Sequence, residues 1–312
     1  MNILLLGFAS AQPYHVMRCA AAAGHSVSVL GNGPAQNLLR SRACTDLYLS
    51  DFDYRAPDYR ILTAEIAHLA IAIGFDLVMP SDAVATRALA AVKDEIPLPT
   101  TPLAEPGIID TLNDPARFAR FCTEHGMTVA EGEEINGASL GISVLCERGR
   151  IVAQMIEERS ESHFRTRDAP DLLVTVARLM AAIGYDGIAQ CDAVVDWTTG
   201  LATLTACRPG FPTSVAPAMI AGLNFAGAAI DLAQGILPLQ PTLPPTVIKL
   251  YPAARRALVT PWRLSRSDRR LFAYHWHERA LCRDLRRIEG DVVLPMMGDE
   301  TASLSPRERL AS

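Results

Sequence analysis

NDPARFARFCTEHGMTVAEGEEINGASLGISVL, residues 113–145, decides how this chain is read. Its first half is a helix marked at both ends. Asp114 suits the N-cap, Pro115 suits the first helical position, Phe118, Phe121 and Cys122 make an apolar face, and Gly126 is a stop. The second half opens on Glu133-Glu134-Ile135-Asn136-Gly137 and runs into an apolar strand, Ile142–Leu145. The turn Glu147-Arg148-Gly149-Arg150 folds that strand back onto another, Ile151–Gln154. Only Thr128–Gly132 lies between the halves, too short for even one hairpin.

Before this stretch, strands and helices alternate. Residues 2–7 (NILLLG) and 26–30 (SVSVL) read as buried strands, with a small-residue helix between them that ends at Gly24. A helical stripe over 60–74 precedes the strand Phe75–Pro80, and a further helix runs to about Val92. The pattern predicts a doubly wound, Rossmann-like parallel sheet with helices on both faces. Ligands of such sheets bind beyond the carboxyl ends of the strands, here Gly7–Ser10, Gly31–Gly33 and Pro80–Asp82. Ser10, Ser81 and Asp82 are therefore candidate ligand contacts, with helix capping as their structural alternative. The first turn, Gly7-Phe8-Ala9-Ser10-Ala11-Gln12, lacks the GxGxxG spacing, and no acidic residue ends the second strand, which argues against a dinucleotide.

After the central stretch, Pro170 starts a helix with Leu172, Leu173, Val176, Leu179, Met180 and Ile183 facing a core, and Gly184 ends it. Two strands, Ile188–Val195 and Leu201–Ala206, follow around Thr198-Thr199. A two-residue turn there sets Asp192 opposite Thr205. His163, Arg165 and Arg167 read as a loop, and the proline-rich residues 237–252 as an extended linker. Residues 265–289 read as one basic amphipathic helix and residues 298–312 as a disordered tail. His275-Trp276-His277 has i, i+2 spacing, which cannot direct both imidazoles of a helix at one metal.

The order of these segments resembles the ATP-grasp superfamily, in particular its carboxylate–amine ligases and the synthetase half of carbamoyl-phosphate synthase. The likeness spans about residues 1–236. Residues 1–104 resemble the pre-ATP-grasp domain, 105–129 the linker helix, 130–240 a shortened α+β ATP-grasp lobe, and 241–312 form a linker and a helical tail. Glu133–Gly137 resembles the hinge, Gly187–Val195 and Leu204–Pro209 resemble the metal-bearing strands, and Gly222-Leu223-Asn224 resembles a helix start that contacts ligand. The resemblance implies ATP and Mg2+ as cofactors of an acyl-phosphate mechanism.

The residues depart from that pattern where the chemistry needs them. Pro115 stands at the linker lysine. The strands that carry the nucleotide lysines and the phosphate loop have no room in Thr128–Gly132. Asp192, Thr205 and Cys207 stand where the family has two carboxylates and an asparagine. The arginine of the following motif becomes Arg208, one place early. The expectation is a degenerate ATP-grasp protein, a pseudoenzyme that binds a partner enzyme or a small ligand, with Ser10, Ser81, Asp82, Arg208 and Asn224 the ligand-binding candidates and Asp192 the one remaining metal-ligand candidate. The alternative is an active carboxylate–amine ligase whose nucleotide site is non-standard or completed by a partner.

Composition adds limits. Lys93 and Lys249 are the only lysines. The seven cysteines are scattered with no CxxC pair, which argues against a zinc site or a disulfide framework. Net charge is −5, yet residues 249–287 hold eleven Lys/Arg against Asp268, Glu278 and Asp284. That basic segment can dock on the acidic body or on an acidic protein partner. Nothing reads as a membrane span or a nucleic-acid surface. The expected setting is cytoplasmic, as a monomer or an oligomer.

Overall fold

A computed structural model describes residues 1–8, 11–55, 57–130, 137–160, 162–196, 199–241, 244–250 and 264–291. Strands β1 (Asn2–Leu6), β2 (Ser26–Gly31), β3 (Cys44–Leu49) and β4 (Leu77–Pro80) form a parallel sheet in the order β3-β2-β1-β4. The central strand, NILLL, is apolar throughout because both its faces are covered. Ile3 and Leu5 pack under helix α1 (Ala11–Ala22). Leu4 and Leu6 pack on the other side, with Leu62 and Ile66 of α2 (Tyr59–Ile73) and Leu89 of α3 (Ala83–Val92). The edge strand β3 and a 3-10 helix, Gly33–Arg40, were not expected from the sequence. Three of the six β3 residues are exposed, so β3 lacks the apolar run that marks its neighbours.

The stretch that opened the sequence reading is built as expected. Helix α4 (Pro106–Asn113) leads into α5 (Pro115–Glu124), whose cap Asp114 accepts from the Arg117 N–H at 2.8 Å. Phe118 and Cys122 are buried. Residues 125–136 connect α5 to β5 (Gly137–Glu147), and the hinge residues 131–136 lie outside the described residues. Strand β5 and β6 (Arg150–Arg159) make the expected hairpin, turning through Arg148 and Gly149, both at positive φ.

Strands β7 (His163–Arg167), β8 (Gly187–Asp196), β9 (Ala202–Pro209) and β10 (Val247–Lys249) complete an antiparallel sheet ordered β10-β7-β6-β5-β8-β9. Two expectations are corrected here. His163–Arg167 is a strand, not a loop, and the proline-rich segment supplies β10, which pairs with it. Ile248 is fully buried, so one apolar side chain anchors an otherwise linker-like sequence.

The antiparallel sheet buries both faces. Ile142, Val144 and Cys146 face helices α4, α5 and α6 (Pro170–Ile183). Leu145, Ala153 and Met155 join one core with α1, α7 (Val215–Ala221) and α8 (Phe225–Ala233). No single helix among the described residues is long and apolar enough to cross a membrane, and the bent apolar pair α7–α8 lies in this core.

The basic tail is two helices, not one: α9 (Arg266–Trp276) and α10 (Arg279–Asp291). Leu271, Tyr274, Leu281, Cys282 and Leu285 are buried against the body. Its few acids make several of the polar contacts, beside those of Tyr274 with His15 and Arg18. Asp268 caps α9 reciprocally with Ser265 and accepts from the Lys249 N–H at 2.7 Å. Glu278 accepts from Ser41 Oγ and the Arg42 N–H, and Asp284 pairs with Arg40 at 2.6 Å. Arg266, Arg269, Arg270, Arg279 and Arg283 face outward.

Candidate functional site

At the carboxyl ends of the parallel strands, polar side chains hold the backbone. Ser81 is fully buried and its Oγ donates to the Leu6 carbonyl at 2.9 Å. Asp82 caps α3 by accepting from the Ala85 N–H at 2.8 Å, and its other oxygen accepts from the Phe8 N–H at 2.8 Å. A side chain at Gly7 would meet Ser81 Oγ at 2.6 Å and Pro13 at 2.7 Å, so close approach requires glycine at this position. Asn32, just past β2, differs: its Oδ1 is buried without a partner. Ser10 lies outside the described residues. Asn224 caps α8 through the Gly227 N–H and donates to the Cys19 carbonyl at 2.7 Å, fastening α8 to α1.

The register of β8 and β9 corrects the expected pairing. From Val195↔Ala202 to Ala193↔Leu204 the strands pair as expected, but an extra residue at Thr205 then shifts them. Asp192 lies opposite Ala206, and Cys191 opposite Cys207. The bulge changes which face each later residue occupies. Cys207 turns into the core on the outer face, 3.2 Å from Cys191 Sγ. Arg208 comes to the Asp192 face and pairs with it at 2.5 Å. The structure therefore joins Asp192 to Arg208 and separates both from Cys207.

These residues do not fit a magnesium–nucleotide site. One Asp192 oxygen is held by a guanidinium, Thr205 carries no charge, and Cys207 is a buried thiol on the wrong face. Among the described residues no cluster of three or more His, Cys, Asp or Glu can hold a metal.

A second polar row, not singled out in the sequence, lies on the same inner face. Gly141 sits opposite Glu157 on one side and Asp192 on the other. Ser143, two residues along, sits opposite Gln190, which in turn sits opposite Arg208. A side-chain carbon at Gly141 would lie 3.2 Å from Gln190 Nε2, 3.4 Å from Glu157 Cγ and 3.7 Å from Asp192 Oδ1. Glu157 is 1% exposed, and neither of its oxygens has a hydrogen-bond partner. Burial raises its pKa to about 7, opposed by Ser214 and Arg159 and assisted by Asp192. The Ser214 hydroxyl lies close enough to favour the ionised carboxylate, yet the pair falls outside hydrogen-bond geometry. The Ser143 and Ser214 hydroxyls are likewise buried and unpartnered.

The loop that carries Ser214 leaves β9 and crosses to the parallel sheet. Gln12 Nε2 donates to the Phe211 and Pro212 carbonyls, Gly210 packs against Thr86, and Arg159 donates to Thr213 at the rim. The polar row thus lies where the two sheets meet. One signal in the sequence could have found it. Glu157 continues the period-2 series Ala153, Met155 on a buried face, so an acid falls where the pattern calls for an apolar residue.

No family model matches the sequence, and no curated protein does. Solved structures do match. The L-amino acid ligase from Bacillus licheniformis aligns with a TM-score of 0.58 at 13% identity, over 77% of this chain and 75% of that one. A biotin carboxylase from Campylobacter jejuni, in complex with β,γ-ATP, aligns at 0.57 with 10% identity, over 79% and 74%. The biotin carboxylase domain of Hydrogenobacter thermophilus 2-oxoglutarate carboxylase, in complex with ADP and bicarbonate, aligns at 0.53 with 12% identity, over 76% and 71%. These are ATP-grasp enzymes, and the chain has their fold. Identity this low speaks for fold alone.

Proposed function

We propose that this chain is an ATP-grasp scaffold that does not carry out ATP-dependent ligation by itself and binds a small ligand where its two sheets meet. The observation that carries the reading is the Asp192–Arg208 pair, in which an arginine occupies the carboxylate that a metal would need. The short connection of residues 125–136, Pro115 in place of a lysine, and Cys207 on the outer face support it. Isothermal titration with Mg-ATP tests it. The expected result is no binding at millimolar nucleotide. Micromolar binding that disappears in Asp192→Ala would favour the alternative, an active carboxylate–amine ligase.

A partner is the second reading, and the outward arginines of the tail favour it. Arg266, Arg269, Arg270, Arg279 and Arg283 are exposed and have no carboxylate partner among the described residues. They form a basic surface for an acidic protein. Reversing Arg269, Arg270 and Arg283 to Glu should abolish capture of such a partner in a pull-down from the native cell. Unchanged capture would remove this reading.

A further inference from the structure

We propose that Cys191 and Cys207 are a redox pair that joins β8 to β9 as a cross-strand disulfide and locks their register. The pairing is independent of what binds where the two sheets meet.

No CxxC pair occurs in the chain, and sixteen positions separate these two cysteines. The bulge at Thr205 brings them together. It sets Cys191 directly opposite Cys207, and their sulfurs lie 3.2 Å apart. Directly opposed residues of antiparallel strands have Cα atoms about 4.5–5.5 Å apart, inside the range that a disulfide spans. A bond of about 2 Å therefore needs side-chain rotation and little backbone movement. Cys122 and Cys146 lie in the same core, yet neither is opposed to a cysteine. Cys146 sits across from Gly187 and Ile151, and Cys122 is on α5.

Both thiols are sealed in the folded chain. The hydrogen bond to Cys207 and burial hold the Cys191 thiol well above its ordinary pKa. A reagent in solution meets neither of them there. Pairing needs no cavity and no bound ligand, because it takes place while β9 is open. Strand β9 ends its sheet, and among the described residues Thr128–Ala130 bond to its free side only at Leu204, before Cys207 is reached. The Cys207 end can therefore open locally while the rest of the sheet holds.

The oxidant is a small disulfide such as oxidised glutathione. One protein thiolate attacks a glutathione sulfur and releases one glutathione thiolate. The second attacks the mixed disulfide and releases the other. Two protein thiols become one disulfide, oxidised glutathione becomes two thiols, and the two protons pass to the leaving thiolates. The link lies directly behind Asp192 and Arg208, the next residue on each strand, whose side chains meet on the inner face. It forms in the bulged register alone, because without the extra residue Cys207 would oppose Gln190. It thus fixes the arrangement that keeps Arg208 on Asp192.

The test holds the full chain with oxidised glutathione in urea just below the unfolding midpoint, where β9 opens without a refolding step. Remaining thiols are then blocked and the chain is digested with trypsin. Between Arg178 and Lys249 the one basic residue, Arg208, precedes Pro209, a bond trypsin does not cleave. A single peptide therefore carries Cys191 and Cys207 and no other cysteine. That peptide should be two hydrogens lighter and unblocked, and cleavage at Asp196 should give fragments that stay joined until reduced. Freed of urea, the linked protein should melt about 5 °C above the reduced form. Cys207→Ala should abolish that shift.

Blocked thiols at both positions, glutathione retained on either, or Cys191 linked to Cys122 or Cys146 would overturn the proposal. A linked protein that melts no higher than the reduced one would overturn the lock. If Cys207→Ala fails to fold, the mapping of the parent chain decides by itself.

Discussion

The carboxyl ends of the parallel strands and the inner face of the antiparallel sheet meet across one loop, yet they treat polar side chains oppositely. Ser81 and Asp82 are buried with their oxygens committed to backbone groups. Glu157, Ser143 and Ser214 are equally buried with theirs uncommitted. Position in the fold alone would have favoured the first group as ligand contacts. Their hydrogen bonds mark that group as structural instead. A group already engaged with the backbone must break that bond to meet a ligand, whereas an orphaned group gains one.

Substitutions can break this contrast. The largest effect should come from Asp82→Ala, which removes a helix cap and leaves the buried Phe8 N–H unpaired. The two losses together should cost about 3–4 kcal/mol in urea denaturation. A cost below about 1 kcal/mol would mean that Asp82 is not structural and would return it to the ligand candidates.

Glu157→Gln should act in the opposite direction and depend on pH. The folded state raises this pKa from 4.5 to about 7. The folded protein therefore binds the proton more tightly than the unfolded chain. The associated stability is fully present below pH 4.5 and is lost as pH rises through 7. The glutamine variant should match the parent near pH 4 and exceed it by up to about 3 kcal/mol at pH 8.5. Parallel stability curves across that range would show that Glu157 has a partner in solution.

Leu271→Ala, in the docked tail, should cost about 2–3 kcal/mol, because it opens a cavity beside Tyr274. A smaller loss in thermal denaturation would mean that the tail detaches with little effect on the body. The smallest effect belongs to the Asp192–Arg208 pair. Arg208 is 55% exposed, so Arg208→Ala should cost no more than about 0.5 kcal/mol, decreasing with salt. Its more useful readout is Mg2+. Gain of millimolar Mg2+ binding in that variant would show that the arginine, rather than the lack of a carboxylate on β9, excludes the metal.

The legible parts of the sequence were those whose signals are local. The cap and stop of α5, the run of β1, the Arg148-Gly149 turn and the amphipathic stripe of α6 follow from spacing and from single residues, because each depends on its own neighbours. The β10 strand was missed because its partner β7 lies about eighty residues away in sequence, beyond any window of periodicity. The β7 strand pairs with its neighbour β6, but HFRTR carries a single apolar residue, Phe164, and so shows no buried-strand pattern. The tail was read as one helix because its stripe continues through the break between Trp276 and Arg279.

The candidate site divides in the same way. The sequence by itself determined the alternation that builds the parallel sheet, the ATP-grasp-like order of segments, the short connection after α5 and the lack of a carboxylate on the strand that pairs with Asp192. The tertiary structure alone decided which face each site residue occupies. One extra residue at Thr205 turns Cys207 into the core and brings Arg208 to Asp192, and no propensity of Thr, Ala or Cys announces a bulge. Folding likewise sealed Glu157 beneath the loop that carries Ser214. Burial is a property of what packs above a residue, and the layer over Glu157 comes from a segment more than fifty residues further along the chain.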